Sequence, residues 1–275
     1  MTSDTTSSTG DHGLYVKDGG GEGRPVVLIH GWPLSSESWS EQVPALTDAG
    51  YRVVVYDRRG FGRSDPGDSY DYDALAGDLD NVLTELDLTD VTLVGFSMGG
   101  GEVARYVRTY GTDRLHSVVF AAAVPPYLLK SDDNPDGPLP EEAAAGMRSQ
   151  LEEDRDGFLD GFVTDFYSVD GELAVSEEQR QEALTLARRS DQEAALGCMD
   201  AFGGTDFRDD LPAVTVPTLV IHGDSDATVP FEGSGQRTHE AIADSELVVL
   251  TAAPHGCNVS HADEFNAALL AFLRR

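Results

Sequence analysis

The chain has 275 residues, 40% of them hydrophobic, enough for one substantial core with room for an inserted subdomain. Aspartate and glutamate number 49 against 19 lysines and arginines, a net charge of −30, and the only lysines are Lys17 and Lys130. That balance speaks against nucleic-acid binding, which needs basic patches, and no apolar run approaches the roughly 18 residues a membrane span requires.

The opening stretch, "MTSDTTSSTGDHG", is polar and acidic, with neither the basic region nor the apolar segment of a secretory signal. Residues 1–12 read as a flexible tail, and a cytoplasmic location is expected. "GLYVK" (13–17) then suggests an antiparallel edge strand. Short β-branched apolar runs follow: "PVVLIHG" (25–31), "YRVVVYD" (51–57), "VTLVGFS" (91–97), "LHSVVFAA" (115–122), "PTLVIHG" (217–223) and "ELVVLTAA" (246–253). Near-continuous apolar runs of this kind suit a parallel sheet covered on both faces. Helical patterns alternate with them at 37–49, 72–87, 98–110 and 262–274. The alternation predicts a doubly wound α/β fold. From 124 to 212 the rhythm breaks. A Pro-rich stretch leads into helical patterns at 140–167, 176–189 and 191–202, which reads as an all-helical cap inserted over the sheet. The expected division is a core of 13–123 and 213–275 with a cap of 124–212. Ligands on such sheets bind at the carboxyl edge of the strands.

That edge carries "GFSMG" (95–99), the spacing G-x-S-x-G at a strand-to-helix turn. The pattern exposes a serine nucleophile, Ser97, with glycines where backbones approach closely. A serine hydroxyl needs a base, and the base needs a carboxylate to orient it. In chain order the carboxylate comes next and the histidine last, each in a loop after a later strand. "DSDATVP" offers Asp224 and Asp226; "TAAPHGCN" offers His255. Asp224 sits close to the turn and suits a local capping role, so Asp226 is preferred. His30 and His222 each close a strand as "IHG" and suit backbone contacts. His239 precedes the last strand, His12 and His116 lie away from the loop, and His261 is the second choice as base. Two N–H donors should face a tetrahedral oxyanion, one from Met98 and one from Trp32 after the strand "VVLIHG". Trp32 also offers an aromatic wall.

The blocks "VVLIHGWPLSSESW", "YDRRGFGRSDP", "LVGFSMGGGEVARYV", "TLVIHGDSDATVPFE" and "APHGCN" resemble one branch of the α/β-hydrolase superfamily, the cofactor-free haloperoxidases or perhydrolases and related aryl esterases. The likeness runs from about residue 14 to the C-terminus. It implies the α/β-hydrolase fold, a Ser97–Asp226–His255 triad, oxyanion donors on Trp32 and Met98, and no cofactor or metal. It further implies a small ester or carboxylic acid substrate opened through an acyl-enzyme, with hydrogen peroxide as a second nucleophile that yields a peracid. Pro33 marks perhydrolases in that family and is expected, with Trp32, to contact substrate; its lack of an N–H could move a carbonyl toward peroxide or simply stiffen a turn. Phe162, Phe166 and Phe202 are candidates to narrow an acyl pocket, Phe202 matching the family's "AF…TDF" block. The likeness also implies a first strand before residue 10, where this chain is short of apolar residues.

Two other readings stand beside this one: a hydrolase of another branch, acting on lactones or carbon–carbon bonds, and a ligand-binding protein on a hydrolase scaffold. Cys198 and Cys257 read as free thiols. The acidic, lysine-poor composition resembles proteins of extreme halophiles, since salt screens the self-repulsion of a charge of −30. A homo-oligomer stays open.

Overall fold

A computed structural model describes residues 5–9 and 13–275. The first half of the chain lays down β1 (Thr5–Thr9), β2 (Leu14–Asp18), β3 (Pro25–Ile29), α1 (Gln42–Asp48), β4 (Arg52–Tyr56), α2 (Tyr72–Glu85), β5 (Val91–Phe96), α3 (Met98–Tyr110) and β6 (Leu115–Ala121). The cap follows, with α4 (Glu141–Glu153), α5 (Arg155–Phe166), a two-residue hairpin of β7 (Ser168–Val169) and β8 (Glu172–Leu173), α6 (Glu177–Arg188) and α7 (Gln192–Gly204). The chain returns through β9 (Thr218–Gly223), α8 (Gly235–Ala241), β10 (Glu246–Leu250), α9 (Cys257–Ser260) and α10 (Ala262–Leu273).

Eight strands form one sheet in the order β1-β2-β4-β3-β5-β6-β9-β10. β1 and β2 run antiparallel to their neighbours, and the rest are parallel. The central strands are largely apolar because helices cover both faces; every residue of β5 is buried. β3 sends the chain outward to β4, and it then returns to β5 on the other side. The carboxyl ends of β3 and β5 therefore flank the switch point, where a crevice opens without a crossing loop.

Three expectations change in detail. A flexible tail was expected over 1–12, yet Thr5–Thr9 pair with β2 from Thr5↔Asp18 to Thr9↔Leu14. An edge strand draws its hold from backbone hydrogen bonds, and β-branched threonine favours the extended form, so apolar content is dispensable there. The cap is not wholly helical, since the β7–β8 hairpin turns through Asp170 and Gly171 at positive φ. The helical pattern at 140–167 breaks at Asp154, whose carboxylate accepts from the Gly157 N–H at 3.0 Å and caps α5. Asp71, Asp191 and Ser176 start α2, α7 and α6 in the same manner. Part of the acidic surplus thus sits at helix N-termini, where the helix dipole favours it.

Candidate active site

Ser97 joins β5 to α3 with φ 53° and ψ −118°, a left-handed conformation costly for any residue with a side chain. Its backbone over-determines it. The Ser97 N–H donates to Ala121 O at 2.8 Å, and its carbonyl accepts from Gly100 at 3.0 Å and Val124 at 3.2 Å. A Cβ at Gly95 would run into the carbonyl of Gly99, and one at Gly99 would lie 2.6 Å from Ile29 O. The glycines of the pentapeptide are there for this close approach. The hydroxyl is thereby left at the mouth of the crevice.

Two loops from the far side of the sheet meet it. His255, after β10, has Nε2 2.9 Å from Ser97 Oγ and Nδ1 2.6 Å from Asp226 Oδ2. Because a carboxylate only accepts, Nδ1 carries the proton and Nε2 is free to accept from the serine. Asp226, after β9, takes two backbone donors on Oδ1, from Thr228 at 2.9 Å and Val229 at 2.7 Å. His222 Nε2 stands 3.2 Å from Oδ2 and 2.8 Å from Val229 O. Burial pushes the Asp226 carboxyl up, but His255 and His222 outweigh it and hold the group down at about 2. All three members are buried, Ser97 at 6% exposure being the most open.

The other candidates go elsewhere. Asp224 is exposed and caps the loop, accepting from the Ala252 N–H at 2.7 Å. His261 starts α10 and bonds Ser260; His239 bonds Ser245; His116 meets Arg24 and Asp90. His12 lies outside the described residues. His30 is buried against the backbone groups of Gly31 and Arg58. Met98 opens α3, so its N–H has no partner within the helix.

Over Ser97 lies a cavity of about 710 Å³. Trp32 forms its floor, with its indole N–H donating to Ala195 O at 3.0 Å across to the cap. Phe162 meets the Trp32 ring edge-on at 4.9 Å, and Phe202 approaches it at 5.6 Å. Both line the cavity. Pro33 does not: it is buried, follows a cis peptide bond, and sits in a turn closed by Leu34 N–H to Gly31 O at 3.1 Å. Its place inside the turn keeps its ring off the cavity wall, which corrects the expectation of a substrate contact. Phe166 packs edge-on against His255 at 4.7 Å and backs the imidazole instead of narrowing the cavity. Sequence reading missed Phe158, Met147, Leu128 and Leu139 in the lining. The spacing Phe158, Phe162, Phe166 was the available signal, since i, i+4, i+8 puts all three along one stripe of α5. Asp165 and Asp170 are the charged residues of the lining. Among the described residues no group of three or more His, Cys, Asp or Glu is placed to hold a metal ion.

A nucleophile elbow on a doubly wound sheet, with a histidine and a carboxylate in the loops after later strands, defines a class. The α/β-hydrolase fold family model matches residues 24–262, and the chain belongs to that family. Within it the relatives are narrower. The chain is 43% identical over 266 residues to a non-heme chloroperoxidase of Kitasatospora aureofaciens, covering 95% of this chain and 96% of that one. It is 38% identical to a bifunctional esterase/perhydrolase of Acinetobacter calcoaceticus, over 95% of this chain and 96% of the relative. The crystal structure of a bromoperoxidase from Bacillus anthracis superposes with a TM-score of 0.93 at 54% identity, covering 95% of both chains.

Proposed function

We propose that this α/β hydrolase is a serine esterase that forms an acyl-enzyme on Ser97 and passes the acyl group to water or to hydrogen peroxide. The observation that carries the reading is the unbroken hydrogen-bonded chain from Ser97 Oγ through His255 to Asp226, under an aromatic-walled cavity. Ser97 Oγ attacks the ester carbonyl while His255 Nε2 takes its proton. Asp226 holds the ring in the required tautomer and stabilises the imidazolium. The N–H groups of Met98 and Trp32 receive the oxyanion. When the tetrahedral adduct collapses, the proton on Nε2 leaves with the alkoxide as alcohol. Water then gives up a proton to Nε2 as it attacks the acyl carbon, and that proton passes to Ser97 Oγ as the ester bond breaks and the carboxylic acid leaves. If hydrogen peroxide attacks instead, the acyl carbon gains an O–O group and leaves as peracid. The relatives named as a chloroperoxidase and an esterase/perhydrolase support this second route.

A wall of Trp32, Phe162 and Phe202 with only carboxylates for charge favours small, uncharged or aromatic acyl groups. The net charge of −30 supports a surface tuned to high salt. Labelling with a fluorophosphonate, followed by ester assays with and without peroxide, tests the core of the reading. Labelling that persists in Ser97→Ala, or absence of peracid when peroxide is supplied, overturns the corresponding half.

A further inference from the structure

The same tripeptide, Ile-His-Gly, stands at the carboxyl ends of β3 and β9, closing β9 and running just past β3, and the histidine after β3 takes no part in the triad. His30 is fully buried at the base of the loop that carries Trp32. Its Nε2 lies 2.9 Å from the Arg58 backbone N–H, which can only donate. Nε2 is therefore the bare nitrogen and Nδ1 carries the proton. Nδ1 in turn lies 2.9 Å from Gly31 O, which can only accept, with Arg58 Nη1 farther off at 3.4 Å, and the Leu34 N–H meets the same carbonyl oxygen at 3.1 Å. The carbonyl of Gly31 and the N–H of Trp32 belong to one planar trans peptide unit, so they point in opposite directions. Whatever grips the one aims the other. The unit sits hard against the nucleophile, since a Cβ on Gly31 would lie 3.1 Å from Ser97 Cβ.

We infer that His30 is a positioning residue for the oxyanion site: by holding Gly31 O through Nδ1–H, it turns the Trp32 N–H toward the space above Ser97. Arg58 extends the same hold to the second donor. Its guanidinium gives one hydrogen bond to His30 O at 2.7 Å and another to Glu102 Oε1 at 2.6 Å, and Glu102 stands one turn along α3 from Met98. The loop bearing one donor and the helix bearing the other are thus tied to one buried side chain.

The inference rests on the acyl-enzyme reading, and the experiment separates the two. Ser97→Ala comes first: retained esterase activity removes the reading itself. With Ser97 established, His30→Asn and His30→Gln are compared on one aryl ester. Asparagine keeps a donor where Nδ1 stood, whereas glutamine reaches only the Arg58 side. We expect His30→Gln to lose about 30-fold to 300-fold in kcat with KM within about 3-fold, the signature of a donor used only in the transition state. His30→Asn should recover most of that loss. Affinity for a boronic acid that mimics the tetrahedral adduct should fall in step with kcat. Equal kcat in the two variants, or a loss confined to KM, overturns the inference. Nitrogen-15 shifts of the His30 ring in the unmutated enzyme give a readout independent of how the variants fold: an Nε2-protonated ring overturns it, and an Nδ1-protonated ring is the expected result.

Discussion

The floor and the roof of the cavity are held in place by different means. On the floor each side chain of the proposed triad is held by backbone groups: Ser97 by its elbow, the Asp226 carboxylate by two N–H donors, and His255 by the turn in which the Cys257 N–H donates to His255 O. On the roof Phe158, Phe162 and Phe202 are half-buried and meet Trp32 through ring contacts alone. Backbone geometry holds atoms to fractions of an ångström, as bond-making requires. Side-chain packing tolerates exchange at the cost of shape. The proposed chemistry therefore belongs to the sheet edge and the proposed selectivity to the cap.

The sharpest way to break that division is to remove the proposed nucleophile. Ser97→Ala should lower kcat by about 10⁶-fold and leave the melting temperature nearly unchanged. Asp226→Asn should cost about 10⁴-fold, because an amide presents the wrong partner to His255 Nδ1. On the roof, Phe202→Ala should leave acetyl-ester turnover within a few-fold and shift the preference toward bulkier acyl groups by about 10–100-fold, read as a ratio of kcat/KM values. An effect of Phe202→Ala on small and large esters alike would abolish the distinction between floor and roof.

The two regions should differ in stability as well. Arg58 and Glu102 form a buried ion pair in the core, both about 1% exposed, while Arg148 and Asp200 pair across the cap surface at 38% and 59%. Losing Glu102 leaves a buried guanidinium unpaired, so Glu102→Ala should cost about 3–5 kcal/mol by denaturant titration. Asp200→Ala should cost under about 0.5 kcal/mol.

Acid should act on the core first. Burial, then Arg58, hold His30 down from 6.5 to about 3, so between those values the unfolded chain binds a proton that the folded chain refuses. Stability from this group is complete above about pH 6.5 and drains as the pH falls toward 3. Denaturant midpoints measured at pH 7 and 5 should fall less in His30→Asn than in the unmutated protein. The smallest effect concerns the surface of both regions. With a net charge of −30, molar potassium chloride should raise the melting temperature by about 5 °C. A melting curve indifferent to salt would leave the acidic composition without a role in stability.

Much of the floor could be read from residue order. The strand runs at 25–31, 91–97 and 217–223 announce themselves because buried parallel strands are apolar on both faces, and α3 begins at Met98 as the pattern at 98–110 expects. Ser97, Asp226 and His255 were marked because each follows a strand, and the fold brings them together. The roof was harder. Phe162 and Phe202 were singled out, Phe166 was given to the wrong surface, and Phe158 was passed over, since an aromatic on an amphipathic helix looks the same whether it faces a core or a cavity. β1 was misjudged because its hold lies in backbone pairing, which leaves little trace in composition.

Residue order by itself determined the alternation of strands and helices, the elbow and the chain order of the three polar groups, because periodicity and local backbone sterics act over a few residues. Only the tertiary structure decided which ring faces the cavity, which lies against His255, that Pro33 sits inside its turn, and that His30 grips the peptide carrying the Trp32 N–H. Those outcomes depend on where distant segments dock, and the distance between segments that meet in space is written into no single one of them.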